Sequence, residues 1–146
     1  ALTIIRRLWT EDAVTFDGRY YRVQDALGNP KPLQRPHPPI VIGGEKPKML
    51  RVIARHADEW NVPSHGDVAL WAETSARLDQ ACAEVGRDPA QIRRSVQLFI
   101  QPAQEGHLEE QLSHLAGFAS HGCQHAVLSF YQPPDAEQLE RCAASM

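Results

Sequence analysis

Two adjacent glycines, Gly43 and Gly44, carry the clearest chemical signal in this sequence. They follow the β-branched run Pro39-Ile40-Val41-Ile42 and precede Pro47, a residue suited to the first turn of a helix. Glycines let backbone amides approach a ligand closely. A helix N-terminus adds unpaired N–H groups and the positive end of the helix dipole, which together suit an anion. The chain has three lysines, Lys31, Lys46 and Lys48, and the last two sit beside this turn. Lysine serves phosphate as a point charge. Glu45 pulls the other way, because a carboxylate there would itself complement the dipole and repel phosphate. Two readings therefore stand: a phosphate site, or simply a tight strand-to-helix connection.

Other residues could do chemistry if the fold gathers them. Polar groups at expected strand ends are Asn61, Ser64, Gln101, Ser129 and Tyr131. Each could equally satisfy loop backbone, and no catalytic residue is assigned. His121, Cys123 and His125 have ligand types suited to a metal, and His107, His114 and His121 recur every seven residues. Structural zinc normally takes four ligands with a second paired group. None is evident, so no metal is expected, and the three histidines are read as one flank of a helix. Cys82 and Cys142 fall on inward helix faces, where cysteine acts as a small hydrophobe. Cys123 lacks partners for a triad. Trp9, Trp60 and Trp71 read most simply as core, with Trp60 alternatively facing a barrel mouth.

Positioning these residues requires regular elements, and the pattern supplies them. Leu2, Ile5, Leu8 and Trp9 have helical spacing. Asp17-Gly18 sits between two β-rich runs within residues 14 to 23, which predicts a hairpin whose two-residue turn uses a positive φ at Gly18. Residues 29 to 39 hold Pro30, Pro32, Pro36, Pro38 and Pro39, so they form an extended connection. A buried strand ending at Gly43-Gly44 leads to a helix with Leu50, Ile53, Ala54 and Ala57 on one face. Glu59 to Val62 is the second strand; its helix is capped by Ser64 or Asp67 and carries Trp71, Leu78, Cys82 and Val85. Gly86 ends that helix, and Asp88-Pro89 begins a brief extra turn. Ser95 to Ile100 is the third strand, followed by one helix with Leu108, Leu112, Leu115 and Ala119. His125 to Tyr131 is the fourth. The last helix is capped by Asp135 with Gln138 three residues on, Leu139 and Cys142 facing inward.

Strands alternating with helices imply a parallel sheet. The fold class expected is α/β, about four βα units forming the C-terminal half of a (β/α)8 barrel, a fold of about 250 residues. A small doubly wound open sheet is the alternative. The chain has 146 residues and a formal net charge of -3, which gives no polybasic surface for nucleic acid. Its apolar runs are too short to span a bilayer, so no membrane partner is expected. Three widely spaced cysteines do not make a disulfide framework, and a cytoplasmic location is expected. Ala1 opens directly into a helical pattern, which suggests a preceding segment. One domain over residues 1–146 is expected, with a hairpin insertion at about 12–24 and the proline-rich connection at about 29–39.

The ordered set LWTEDAVTFDGRYYRV, PKPLQRPHPPIVIGG and LRVIARHADEWN resembles the luciferase-like family of flavin- or deazaflavin-dependent oxidoreductases, and within it the coenzyme F420 branch. The resemblance covers most of the chain, most specifically residues 2 to 63. It implies a (β/α)8 barrel whose first four strands are absent here. It also implies coenzyme F420 as cofactor, with FMN the alternative, and a small-molecule substrate. Cofactor-binding residues implied are Gly43, Gly44, Lys46 and Asn61. The barrel would be completed by the N-terminal half or by a homo-oligomer. A different class also stands: a non-catalytic truncated remnant serving as a binding or assembly module.

Overall fold

The computed structural model describes residues 1–101 and 104–144. The chain divides into two compact units, residues 1–39 and residues 40–146.

The first unit holds helix α1 (Leu2–Thr10) and the antiparallel strands β1 (Val14–Asp17) and β2 (Arg22–Ala26). Arg7 fixes the helix end. Its Nε and Nη2 each donate to the Glu11 carboxylate at 2.8 Å, and its Nη1 reaches Thr15 O at 3.0 Å. Lys31 Nζ donates to Leu8 O at 2.8 Å and to Glu11 O, so this lysine caps α1 from outside. The hairpin differs from expectation. Asp17 pairs with Arg22, which makes the connection Gly18 to Tyr21 rather than two residues, and Gly18 is not among the positive-φ residues. Gly18 is required by space instead: a Cβ there would lie 2.5 Å from Phe16 Cε1. The left-handed residue is Asp25 (φ 46), whose N–H donates to Thr15 Oγ1 at 3.0 Å.

The second unit is a run of βα units. It comprises β3 (Val41–Gly43), α2 (Pro47–His56), β4 (Glu59–Ser64), α3 (Val68–Glu84), β5 (Arg93–Ile100), α4 (His107–Ser113), α5 (Leu115–Ser120), β6 (His125–Phe130) and α6 (Ala136–Ala144). All neighbouring strands are parallel, in the order β3-β4-β5-β6. The order never reverses, unlike a doubly wound sheet, which changes direction at a switch point. Burial alternates along the strands. Trp60, Val62, Val96 and Leu98 pack with Leu50, Ile53, Trp71, Leu78 and Phe118 from the helices. A second cluster joins Ile100 to Leu108 and Cys142. The intervening residues, Asn61, Ser95, Gln97 and Phe99 among them, fall on the opposite face, because successive side chains alternate across a strand.

Caps follow the sequence closely. Asp67, not Ser64, caps α3: its Oδ1 accepts from Leu70 N at 2.9 Å, while Ser64 ends β4. Asp135 and Gln138 form the reciprocal capping box at 2.8 and 3.1 Å. Three further expectations change. Within this chain β3 is an edge strand and Val41 is 56% exposed, so the strand expected to be buried is open on one side here. The helix expected over 108 to 119 breaks at His114 into α4 and α5, and the three spaced histidines do not share one flank. Leu139 is 52% exposed; only Cys142 of that helix turns inward. No described helix is long and apolar enough to cross a membrane.

Candidate functional site

The glycine turn is built from both sides. Gly43 ends β3 and pairs with Asn61 of β4. Gly44 has φ 132, a conformation that side chains rarely adopt, and a Cβ there would lie 2.5 Å from Met49 Cγ. Gly43 is less constrained: its added Cβ would meet Asn61 O at 3.2 Å. Lys46 is the N-cap of α2 and no side chain caps that helix; Pro47 has no N–H and Met49 N donates to Lys46 O at 2.8 Å, so of the first turn the Lys48 amide is left for a ligand.

Two residues far along the sequence set the direction of the turn's peptides. Trp60 Nε1 donates to Gly44 O at 2.8 Å, and Arg77 of α3 donates through Nη2 to Glu45 O at 3.0 Å. In a trans peptide the N–H points opposite to the C=O. The amides of Glu45 and Lys46 are therefore directed away from the side chains that grip the preceding carbonyls. Trp60 is wholly buried against Trp71, with ring centroids 5.5 Å apart. It faces the helices rather than a barrel mouth. Arg77 adds a guanidinium beside a turn already flanked by Lys46 and Lys48, against the opposing carboxylate of Glu45. Nothing local in the sequence points to Arg77, because it lies 32 residues from its partner.

A concavity of about 670 Å³ is lined by residues Gly44 to Met49. A second, of about 260 Å³, is lined by Glu45, Ser64, His65, Asp67, Trp71 and Thr74 among others. Glu45 borders both.

Asn61 is not at a strand end. β4 continues to Ser64, and Asn61 sits level with Gly43 on one side and Ser95 on the other. Its Nδ2 donates to Ser95 Oγ at 2.9 Å, and Ser95 Oγ donates to Trp60 O at 3.0 Å. Ser129 is likewise within β6, where Gln97 Nε2 donates to its Oγ at 2.8 Å. Ser64 is buried beside the smaller concavity, Gln101 is exposed after β5, and Tyr131 follows β6. Gly43, Gly44, Lys46 and Asn61 are thus brought together, whereas Gln101, Ser129 and Tyr131 lie along other strands.

The other candidates separate. His121 Nδ1 lies 2.9 Å from Gly117 O, Cys123 Sγ bonds His125 O, and His125 Nδ1 lies 2.8 Å from Glu59 Oε1. Among the described residues no group of three His, Cys, Asp or Glu could hold a metal. Burial pushes the thiols of Cys82, Cys123 and Cys142 up, away from the nucleophilic thiolate form. Arg93 and His125 both reach the buried Glu59 carboxylate across the sheet face opposite the helices.

Residues 1–141 match the luciferase-like monooxygenase family model. The chain belongs to the luciferase-like family. Relatives within it use different cofactors. An F420-dependent glucose-6-phosphate dehydrogenase of Microbacterium testaceum is 33% identical over 113 residues, covering 75% of this chain and 33% of that protein. An FMNH2-dependent dimethylsulfone monooxygenase of Pseudomonas putida is 30% identical over 96 residues, covering 66% of this chain and 25% of that protein. The matched region thus spans about a quarter to a third of these curated relatives. The fold matches a solved F420-dependent secondary alcohol dehydrogenase with a TM-score of 0.78 at 15% identity, covering 99% of this chain and 58% of that one. The α/β, barrel-type arrangement expected from the resemblance is therefore the fold of this luciferase-like chain.

Proposed function

We propose that this chain supplies the phosphate-anchoring part of a luciferase-like oxidoreductase that uses coenzyme F420 for hydride transfer to or from a small-molecule substrate. The observation that carries the reading is the pair of gripped carbonyls at Gly44 and Glu45. It aims the Glu45 and Lys46 amides away from the body of the unit at a helix start that no side chain caps. A phosphate suits these residues: Lys46 and Lys48 flank the turn against the single carboxylate of Glu45, at a helix start without a side-chain cap. Gly43, Gly44 and Lys46 would hold it, with Asn61 alongside. When bound, the cofactor's ring supplies the redox chemistry, and the protein positions it and excludes competing reactions. In this reading the remaining barrel strands come from a preceding segment of the same protein or from a second copy.

The test is an absorbance titration of the full-length protein with coenzyme F420 and with FMN. Tight binding of F420 and weak binding of FMN are expected. Lys46→Ala should weaken F420 binding about tenfold, and the loss should shrink at high salt, as for an exposed charge contact. Unchanged affinity in that variant refutes the phosphate anchor. The second reading, an FMN-dependent monooxygenase, is favoured by the likeness to the Pseudomonas putida protein and gives the opposite cofactor preference.

A further inference from the structure

Three aromatic side chains line up at the C-terminal ends of adjacent strands. His65 immediately follows β4, Phe99 is the last residue but one of β5, and Tyr131 immediately follows β6. The His65 and Phe99 rings stack with centroids 6.2 Å apart and planes inclined by 27°. Phe99 and Tyr131 stack at 5.7 Å and 30°. By strand alternation, Phe99 lies on the sheet face opposite the helices, since its neighbours Leu98 and Ile100 enter the helix-side clusters. Tyr131, at the outer end of the ladder, is 65% exposed within this chain.

A neutral polar pair lies beside the ladder, Gln97 two residues before Phe99 and Ser129 two residues before Tyr131, with Ser129 level with Phe99. Gln97 Nε2 donates to Ser129 Oγ at 2.8 Å. That leaves the Ser129 hydroxyl proton and the Gln97 carbonyl oxygen free to bond an oxygen function on a ligand. No Asp, Glu, Lys or Arg belongs to the ladder or to this pair, in contrast to the lysine-flanked turn. Phe99, the centre of the ladder, is distant from Gly43, whereas His65 lies nearer the turn and lines the smaller concavity with Glu45. Ser95 is level with Asn61 and Gly43, and Phe99 is four residues further along β5 and two strands across. At ~3.3 Å per residue and ~4.8 Å per strand the separation is on the order of 15 Å. The body of a cofactor anchored at the turn fits in that interval, with His65 at its near end, so Phe99 and Tyr131 face what the cofactor acts on. In barrels of this class, substrates are handled at the C-terminal ends of the strands.

We propose that His65, Phe99 and Tyr131 form the substrate wall of the oxidoreductase, selecting a neutral molecule with a planar aromatic body whose oxygen function meets Ser129 and Gln97. This rests on the proposed cofactor placement. Flat rings stack offset on such a ladder, whereas puckered rings of similar size cannot.

The test uses the full-length protein and two ketones of similar size as probes, planar acetophenone and puckered cyclohexyl methyl ketone. Dissociation constants are measured by saturation-transfer NMR. Acetophenone should bind about tenfold more tightly than its saturated counterpart. Phe99→Leu, which keeps apolar volume, should abolish that preference while leaving F420 and FMN affinity and the melting temperature unchanged. Equal binding of the two ketones overturns the proposal, as does a preference that survives in Phe99→Leu. If Phe99→Leu weakens cofactor binding as much as acetophenone binding, the ladder belongs to the cofactor and the substrate assignment fails. Lys46→Ala separates the two readings: it bears on cofactor affinity alone, so a failed phosphate anchor leaves the ketone preference intact and legible.

Discussion

Replacing Gly44 with alanine probes the turn most directly. Two costs are expected. The first is conformational: φ 132 lies where an L side chain is strained, which costs about 1–3 kcal/mol. The second is steric. The new Cβ would sit 2.5 Å from Met49 Cγ and 3.2 Å from Met49 Cβ, inside normal contact distance. Contact with Met49 Cβ, close to the backbone, is hard to relieve by a rotamer change, and overpacking of this kind costs about 1–3 kcal/mol. Gly44→Ala should therefore lose about 2–6 kcal/mol, the sum of the two ranges. Gly43→Ala should lose under about 1 kcal/mol, since Gly43 lacks a positive φ and its Cβ would meet one oxygen at 3.2 Å. Urea unfolding followed by tryptophan emission measures both. The double variant Gly44→Ala, Met49→Ala should relieve the clash with Cγ and leave the Cβ contact and the backbone cost. A Gly44→Ala protein within about 0.5 kcal/mol of the parent, or a Gly43→Ala protein that loses more, refutes this account of the turn.

Other expectations follow from single contacts. Asp67→Ala removes the cap of α3 and should cost about 1 kcal/mol, whereas Ser64→Ala removes no cap; differential urea midpoints decide. The thiols of Cys82, Cys123 and Cys142 are held above their ordinary pKa chiefly by burial. Such groups stabilise the fold fully below the unfolded thiol pKa, and that contribution is lost as pH rises through the folded values. Stability should thus decline on the alkaline side, and iodoacetamide at pH about 8 should label Cys82 only under unfolding conditions. Rapid labelling of Cys82 in the native protein, read by mass spectrometry, would contradict the burial argument.

Much of the second unit is legible because its signals are local. Pro47 and the periodic Leu50, Ile53 and Ala54 specify α2 without reference to anything distant. Asp135 and Gln138 specify their capping box in four residues. The hairpin connection was misjudged because Gly18 answers to the Phe16 ring rather than to a backbone requirement. The α4–α5 break was missed because the apolar spacing of Leu108, Leu112 and Leu115 runs through it. At that break the His114 ring is pressed against Gly66, which leaves no room there for a Cβ, and that neighbour is 48 residues distant in sequence.

By itself the sequence determined the alternation of strands and helices, the place of the glycine turn, and a likeness to the luciferase-like family strong enough to name. These rest on residue type and short spacing, which the chain carries in one dimension. Tertiary structure decided between a barrel-type and a doubly wound sheet, because strand order and the choice of covered face arise only when crossovers pack. It decided that Asn61 lies level with Gly43 rather than at a strand end, because register is set by pairing. It also brought Trp60 and Arg77 to two successive carbonyls of the turn, from 16 and 32 residues away, which no local pattern encodes.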